Sequence, residues 1–275
     1  MNIEKVKDYN ARMLALLSTI LVLLGVIAIV AIAGVFISDL LPRQRVDNNT
    51  LVADDKAEQL VANNLRKHLV SFDAPHLVDT AALLYIIPVK TKQLSRPEDI
   101  GEGVMNMYEE EGSFRSSKWK KRTYYYDAFN NLLVYDGHAG ITHKILNERV
   151  VGTDLTYNYM EKDVLLIFNI VDSDTNNDGE ISEQDLSTLH IYSVGNQKLM
   201  PLPVSSTTVL NYERVPDKHQ LMVTLGVDRN NDGRFDYKNE PTTIVSFDWE
   251  HNQVSTVISD ELKSELQQII DRASH

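Results

Sequence analysis

The sequence of 275 residues contains no cysteine and is short of positive charge. Without cysteine, disulfides, cysteine nucleophiles and zinc sites held by thiolates are all excluded. The 27 Lys and Arg residues against 39 Asp and Glu residues give a formal net charge of −12. This balance argues against nucleic acid as a partner, because its binding requires a basic surface. The hydrophobic content of 43% is ordinary for a folded chain of one or two domains.

Polar side chains are nearly absent from Met13 to Ile37. A helix of about 25 residues at 1.5 Å per residue exceeds the roughly 30 Å hydrocarbon core of a bilayer, so the pattern predicts a transmembrane helix over 13–38. We expect residues 1–12 in the cytoplasm and a polar connector over 39–53. A cleaved signal peptide is the alternative, because Ala31-Ile32-Ala33 is typical of a cleavage site.

Oxygen-bearing side chains recur at a fixed spacing between Asp174 and Asp185. They take the first, third, fifth, ninth and twelfth places, with Gly179 at the sixth, which is the spacing of an EF-hand calcium loop. Calcium prefers about six to eight oxygen ligands, and a short loop supplies them when alternate side chains turn inward. The predicted ligands are Asp174, Asn176, Asp178, the backbone carbonyl of Glu180, Ser182 and Asp185. Aspartate in place of glutamate at the twelfth place predicts weaker binding.

The same spacing returns in a second loop that begins at Asp228. Its predicted ligands are Asp228, Asn230, Asp232, Arg234, Asp236 and either Asn239 or Glu240. Two such loops favour Ca²⁺ as a cofactor more strongly than one. The alternative is a pair of turns that bind nothing, because Asn, Asp and Gly favour turns for their own reasons. Arg234 weakens the second site by adding a positive charge.

The stretch 54–119 reads as a mixed α/β segment. Apolar residues recur at helical spacing from Asp54 to about Val70, which predicts an amphipathic helix next to the membrane. A buried strand follows over 81–89, and the polar, turn-rich residues 93–118 are typical of a long surface loop.

Strand patterns repeat with a period of about 55 residues over 120–258. Strands around Val164–Phe168 and Leu221–Val223 each precede an acidic loop, and further strands follow it. An incomplete earlier copy lies at Asn131–Gly137. Because the flanks of the loops alternate as strands do, we interpret the loops as hairpin insertions rather than links between EF-hand helices. The prediction is a mainly β domain with about two and a half propeller-blade-like antiparallel repeats.

This arrangement of strand, acidic calcium-type loop, aromatic-bearing strand, turn and strand resembles TolB-like β-propeller repeats of bacterial envelope proteins. The resemblance covers about 120–258. It implies a bacterial envelope protein, and with the predicted transmembrane helix we expect an inner-membrane anchor and a periplasmic domain. Closed propellers need at least four blades, so this chain would form an open β array, or a fragment completed by another chain.

The C-terminal stretch 259–275 predicts an amphipathic helix. Ser259 is a suitable N-cap, and Asp260 and Glu261 in the first turn suit the helix dipole. Its apolar stripe would pack on its own domain, dock on a partner or cover an open sheet edge.

No nucleophile motif, phosphate loop or dinucleotide fingerprint is present, so we predict no catalytic residues and no enzyme activity. Asp136, His138 and His143 lie near each other but are flanked by turn glycines. The acidic run 109–111 is typical of a solvated face. The aromatic run Tyr124-Tyr125-Tyr126, with Trp119 and the basic residues of 118–122, suits either a strand edge or an anionic glycan or lipid headgroup.

The sequence therefore predicts a single-pass, calcium-binding β-repeat protein that acts as a scaffold or accessory subunit without enzymatic activity. We expect the membrane and another protein, or a second copy of the chain, as partners. A calcium sensor with a regulated partner surface is the first alternative. An envelope hydrolase that uses a pair of loop carboxylates is the second.

Overall fold

The computed structural model describes Met13, Leu17 and residues 50–99, 124–161 and 163–271. Within these residues the chain is mainly β, with two helices, α1 (Asp54–Ala62) and α2 (Asp260–Asp271). The strands are β1 (Leu51–Val52), β2 (Leu65–Phe72), β3 (His76–Asp79), β4 (Leu84–Asp99), β5 (Tyr124–Tyr125), β6 (Asn131–Asp136), β7 (Ile141–Lys144), β8 (Val151–Tyr159), β9 (Val164–Val171), β10 (Glu180–Ile181), β11 (Thr188–Ser193), β12 (Lys198–Pro201), β13 (Thr207–Arg214), β14 (Gln220–Val227), β15 (Thr242–Asp248) and β16 (Gln253–Thr256).

The described residues form three antiparallel sheets of four or five strands, together with a two-stranded sheet of β1 and β10. Sheet I has the strand order β2-β4-β6-β7, with β3 also paired to β4. Sheet II has the order β12-β11-β9-β8-β5, and sheet III has the order β13-β14-β15-β16. In sheets II and III the four main strands form a meander, in which neighbours along the chain are also neighbours in the sheet. This local connectivity explains why a repeat is visible in the sequence.

Sheet II is the middle layer of the fold. All eight residues of β9 are buried, which is typical of a strand covered on both faces. Because successive side chains point to opposite faces, Leu166 and Phe168 join a core shared with sheet I, and Leu165 and Ile167 join a core shared with sheet III. A single strand therefore supports both hydrophobic cores.

The predicted count of about two and a half propeller-blade-like repeats is wrong. The described chain holds three separate sheets of four or five strands, and they form no clear propeller. Sheets II and III are the two repeats seen in the sequence. The incomplete copy at Asn131–Gly137 supplies only β6 of sheet I, whose first two strands come from Leu65–Phe72 and Leu84–Asp99.

No helix in the described part of the chain is long and apolar enough to cross a membrane. Helices α1 and α2 have 9 and 12 residues, whereas about 20 are needed to span the hydrocarbon core. We correct the predicted transmembrane helix on this finding, and with it the inner-membrane anchor and the periplasmic location. Apart from Met13 and Leu17, the stretch 13–38 lies outside the described residues, as do 1–12 and 39–49.

The helix predicted from Asp54 to about Val70 is also corrected. It ends at Ala62, and Asn64 adopts a left-handed conformation with φ of 56°. The chain then enters β2, which pairs with β4 over Leu65–Phe72. Strand β4 itself continues to Asp99, into the stretch predicted as a surface loop, and 100–123 lies outside the described residues.

Helix α2 lies in the predicted C-terminal stretch. The Leu262 N–H donates to Ser259 Oγ at 3.3 Å, so Ser259 caps the helix. The apolar stripe faces solvent: its side chains are 46–75% exposed at Leu262, Leu266, Ile269 and Ile270. Within the described part of the chain, the stripe is therefore largely uncovered.

Candidate functional site

The two acidic loops interrupt equivalent hairpins in neighbouring sheets. The first loop, Asp174–Asp185, lies between β9 and β11, which are paired antiparallel. The second loop, Asp228–Glu240, lies between β14 and β15, which are paired in the same way. Both loops are therefore hairpin insertions at the same end of their sheets.

The first half of each loop is held by the same backbone hydrogen bonds. The sixth-place N–H donates to the first-place carboxylate, at 2.8 Å for Gly179 to Asp174 Oδ2 and 3.0 Å for Gly233 to Asp228 Oδ2. The fifth-place N–H donates to the third-place amide oxygen at 2.9 Å in both loops, at Asn176 Oδ1 and Asn230 Oδ1. The first halves of the two loops therefore share the same hydrogen-bonded conformation, as their shared spacing predicts.

The closing carboxylate is Asp185 in the first loop and Glu240 in the second. Asp185 Oδ1 accepts the N–H groups of the second and third places, and Oδ2 accepts the Ser182 N–H. Glu240 Oε1 and Oε2 accept the corresponding three N–H groups, the last from Asp236. Glu240 is one residue further along its loop but one methylene longer, so the two side chains reach the same place.

The sequence left Asn239 and Glu240 as alternatives, and the geometry separates them. The Asn239 side chain donates to Asp236 Oδ2 at 2.6 Å and takes no part in closing the loop. Glu240 is therefore the residue equivalent to Asp185.

The two loops also contact each other. Thr175 Oγ1 donates to the Gly233 carbonyl oxygen at 2.6 Å, and the Arg234 guanidinium lies 3.3 Å from Asp178 Oδ2. The positive charge that the sequence placed in the second loop thus pairs with a carboxylate of the first loop. Neither contact follows from the spacing, because the partners are 56 to 58 residues apart.

Gly233 is required both by its conformation and by this contact. Its φ is +76°, and a Cβ atom there would overlap the backbone carbonyl of Thr175. Gly140 has a similar φ of +67° but has no atom within 4 Å of the Cβ position, so it is a matched control. A left-handed conformation costs a residue with a side chain roughly 1–2 kcal/mol.

We expect Gly140→Ala to lower the free energy of unfolding by that cost alone. Gly233→Ala should cost about 1–3 kcal/mol more, because overpacking must separate the two loops. Urea unfolding of the full-length chain measures both. Equal losses for the two variants would show that the loops do not rest on each other.

Two carboxylates of the loops are deeply buried. Asp185 is 4% exposed and Asp228 is 7% exposed. Burial raises the pKa of Asp185, against the opposing effect of the N–H groups that donate to it. Asp228 Oδ2 accepts the Gly233 N–H, whereas Asp228 Oδ1 is buried with no hydrogen-bond partner. An acceptor left in this state is costly, so this oxygen suits a ligand that supplies positive charge.

The predicted calcium sites are corrected in one respect, which is that their acidic side chains do not cluster. Among the residues that the structure describes, no three His, Asp or Glu side chains form a group that could hold a metal ion. The loop carboxylates instead accept backbone N–H groups, which spreads them around each loop. A cation would have to be held by mixed donors, namely the carboxylates together with the amide oxygens of Asn176 and Asn230 and the carbonyls of Glu180 and Arg234.

The other candidate residues lie outside the two loops. Asp136 Oδ1 accepts the N–H groups of His138 and Ala139, which closes a turn. His143 Nε2 lies 3.3 Å from Tyr192 Oη. Tyr125 lies in the core, and Tyr126 is 87% exposed. Trp119, the basic residues of 118–122 and the acidic run 109–111 lie outside the described residues.

A groove of about 960 Å³ lies between sheets II and III, lined by residues of the turns that lie opposite the loops. Its floor includes Leu165, Met200 and Trp249. The charged lining mixes both signs: Glu161, Asp163, Asp217 and Glu250 with Lys198, Arg214 and Lys218. This mixture selects no single class of ligand, so the loops remain the better candidate site.

Comparisons of the chain with protein-family models, with curated proteins and with solved structures find no significant match. The geometry of the two loops therefore carries the functional argument.

Proposed function

We propose that the chain is a calcium-binding β-repeat module that serves as a scaffold or accessory subunit rather than as an enzyme. The observation that carries the proposal is Asp228 Oδ1, a carboxylate oxygen without a hydrogen-bond partner on a side chain that is only 7% exposed. The resemblance of residues 120–258 to TolB-like repeats with calcium-type loops points in the same direction.

The cation would be held by side-chain and backbone oxygens of each loop. In the first loop these are Asp174, Asn176, Asp178, the Glu180 carbonyl, Ser182 and Asp185. In the second loop they are Asp228, Asn230, Asp232, the Arg234 carbonyl, Asp236 and Glu240. When bound, Ca²⁺ would supply positive charge to these oxygens, of which those of Asp185 and Asp228 belong to buried side chains.

The residues of the loops have a structural task in this proposal. The backbone N–H groups already orient the first, third, fifth and closing side chains, so little reorganisation is needed on binding. Thr175 and Arg234 connect the loops across sheets II and III. Binding would therefore stabilise the junction between two sheets rather than one turn.

The exposed stripe of α2 supports a protein partner for the module. Four large apolar side chains on one helix face are unusual on a surface that contacts only water. Another protein or a second copy of the chain would cover this face.

Calorimetric titration of the full-length chain with CaCl₂ tests the calcium site. We expect binding, and we expect Asp228→Asn to remove the contribution of the second loop because it removes the charge of the buried carboxylate. Asp217→Asn makes the same charge change at an exposed residue in the turn before β14, and it should bind like the parent chain. The proposal fails if no heat is seen at millimolar calcium, or if both variants behave alike.

A further inference from the structure

A segment from far upstream in the sequence is attached to the first loop. Strand β1 pairs with β10 inside the loop, with Leu51 opposite Ile181 and Val52 opposite Glu180. The Ala53 N–H donates to the Gly179 carbonyl oxygen at 3.1 Å. Helix α1 then begins, and Lys56 Nζ donates to the same oxygen at 3.0 Å. The segment Thr50–Ala62, here called the docked segment, thus lies on the turn of the loop.

Apolar packing also holds the docked segment. Leu51 is 6% exposed and Ile181, the eighth residue of the loop, is 0% exposed. Together they belong to a small core completed by Ala128, Val151 and Val171. Ile181 is therefore covered by a residue of the docked segment, so the loop and the segment share one core.

Arg149 ties the docked segment to the start of β8. Its guanidinium donates to the Val52 carbonyl oxygen at 2.7 Å and forms an ion pair with Asp54. Every contact of the segment described so far is made to the first loop, to its small core or to Arg149. Loss of the loop conformation would therefore remove the pairing with β10 and both hydrogen bonds to the Gly179 carbonyl oxygen.

The pairing with β1 leaves the predicted seventh-place ligand available. In an antiparallel pair, successive residues point their backbone groups alternately towards and away from the partner strand. The Gly179 carbonyl points towards β1, where it accepts the Ala53 N–H. The Glu180 carbonyl therefore points away from β1, the direction that the seventh-place ligand requires. The docked segment would use the Gly179 carbonyl, and a cation would use the carbonyl of the next residue, Glu180.

We propose that cation binding at the first loop and attachment of the docked segment are coupled, so that the segment reports the state of the loop. A cation would fix the conformation of Gly179 to Ile181, which is the surface to which β1 and Lys56 attach. Coupling between two binding events is reciprocal, so attachment of the segment also raises the affinity of the loop. This inference rests on the proposed calcium site.

Hydrogen exchange of the full-length chain, with CaCl₂ and with chelator, tests the coupling. A ligand at about 100 times its Kd favours the bound state by about 100-fold, so exchange at the Ala53 N–H should slow by up to about 100-fold. The Gly179 N–H, which donates to Asp174, reports the loop itself. The Lys263 N–H, which donates to the Ser259 carbonyl oxygen in α2, should not change.

A pair of lysine variants isolates the contact. Lys56→Met keeps the side-chain stem but removes the hydrogen bond to Gly179, and we expect the calcium-dependent slowing at Ala53 to fall by about fivefold. Lys218→Met, an exposed lysine in the turn before β14, should leave the slowing unchanged. If calcium slows exchange at Gly179 but not at Ala53, the coupling is overturned while the calcium site stands. If neither amide responds, the proposed calcium site falls as well.

Discussion

Removal of calcium should lower the melting temperature of the full-length chain by about 10–20 °C. A ligand at 100 times its Kd stabilises the folded state by about 2.7 kcal/mol per site, and 1 kcal/mol corresponds to about 2–4 °C for a domain of 150–250 residues. Two occupied loops would therefore contribute roughly 5 kcal/mol. The reason is the buried Asp228 carboxylate, whose Oδ1 has no hydrogen-bond partner without a cation.

The measurement is thermal unfolding in CaCl₂ and in chelator, beside the double variant Asp174→Ala/Asp228→Ala. The double variant should show one melting temperature in both buffers. It should also melt below the parent in chelator, because Asp174 and Asp228 each accept the N–H of a sixth-place glycine. If the parent chain has the same melting temperature in both buffers, the loops are turns that bind no calcium.

The loops are the part of the site that the sequence specifies best. Their shape depends on ligands and glycines within about a dozen residues, so the spacing alone predicts a conformation that both copies adopt. The choice of Glu240 over Asn239 was open because it depends on how far each side chain reaches across the loop. The spacing does not reveal one feature of the loops, which is that their carboxylates accept backbone N–H groups and form no cluster of three acidic side chains among the described residues.

The contacts that surround the loops could not be predicted from spacing. Lys56 and Gly179 are 123 residues apart, and nothing near either residue indicates the other. The attachment of β1 to β10 is a pairing of only two residues on each strand, too short for a periodic signal. Such contacts are decided by the way the sheets pack.

The start of sheet I was misread for a related reason. Residues after Ala62 have apolar positions that fit helical spacing. None of the eight residues of β2 is fully buried, so the sequence shows no clear alternation of buried and exposed positions that would indicate a strand. Pairing with β4 over Leu65–Phe72 outweighs this local preference. The left-handed Asn64 marks the change, and asparagine tolerates that conformation. Sheets II and III were easier, because they repeat each other.

Phe168→Ala should lower the free energy of unfolding by about 3–5 kcal/mol, the usual cost of removing a buried phenylalanine. Phe168 is 0% exposed in β9. Its ring packs edge-to-face with the Phe129 ring, with 5.7 Å between the ring centroids. It also stacks with the His190 ring, with 6.1 Å between the ring centroids. Sheets I and II cannot close over the cavity without moving β9, and β9 also supports the core with sheet III.

Urea unfolding of the full-length chain compares this variant with Phe72→Ala, which makes the same change at a side chain that is 63% exposed in β2. Surface substitutions of this kind are usually within about 0.5 kcal/mol of the parent. Phe168→Leu keeps the site apolar and should lose roughly 1–2 kcal/mol, so the ordering can be read even if the alanine variant fails to fold. An equal loss of unfolding free energy in Phe72→Ala and Phe168→Ala would contradict the prediction. It would show that the Phe72 face of sheet I is as well covered as the core around β9.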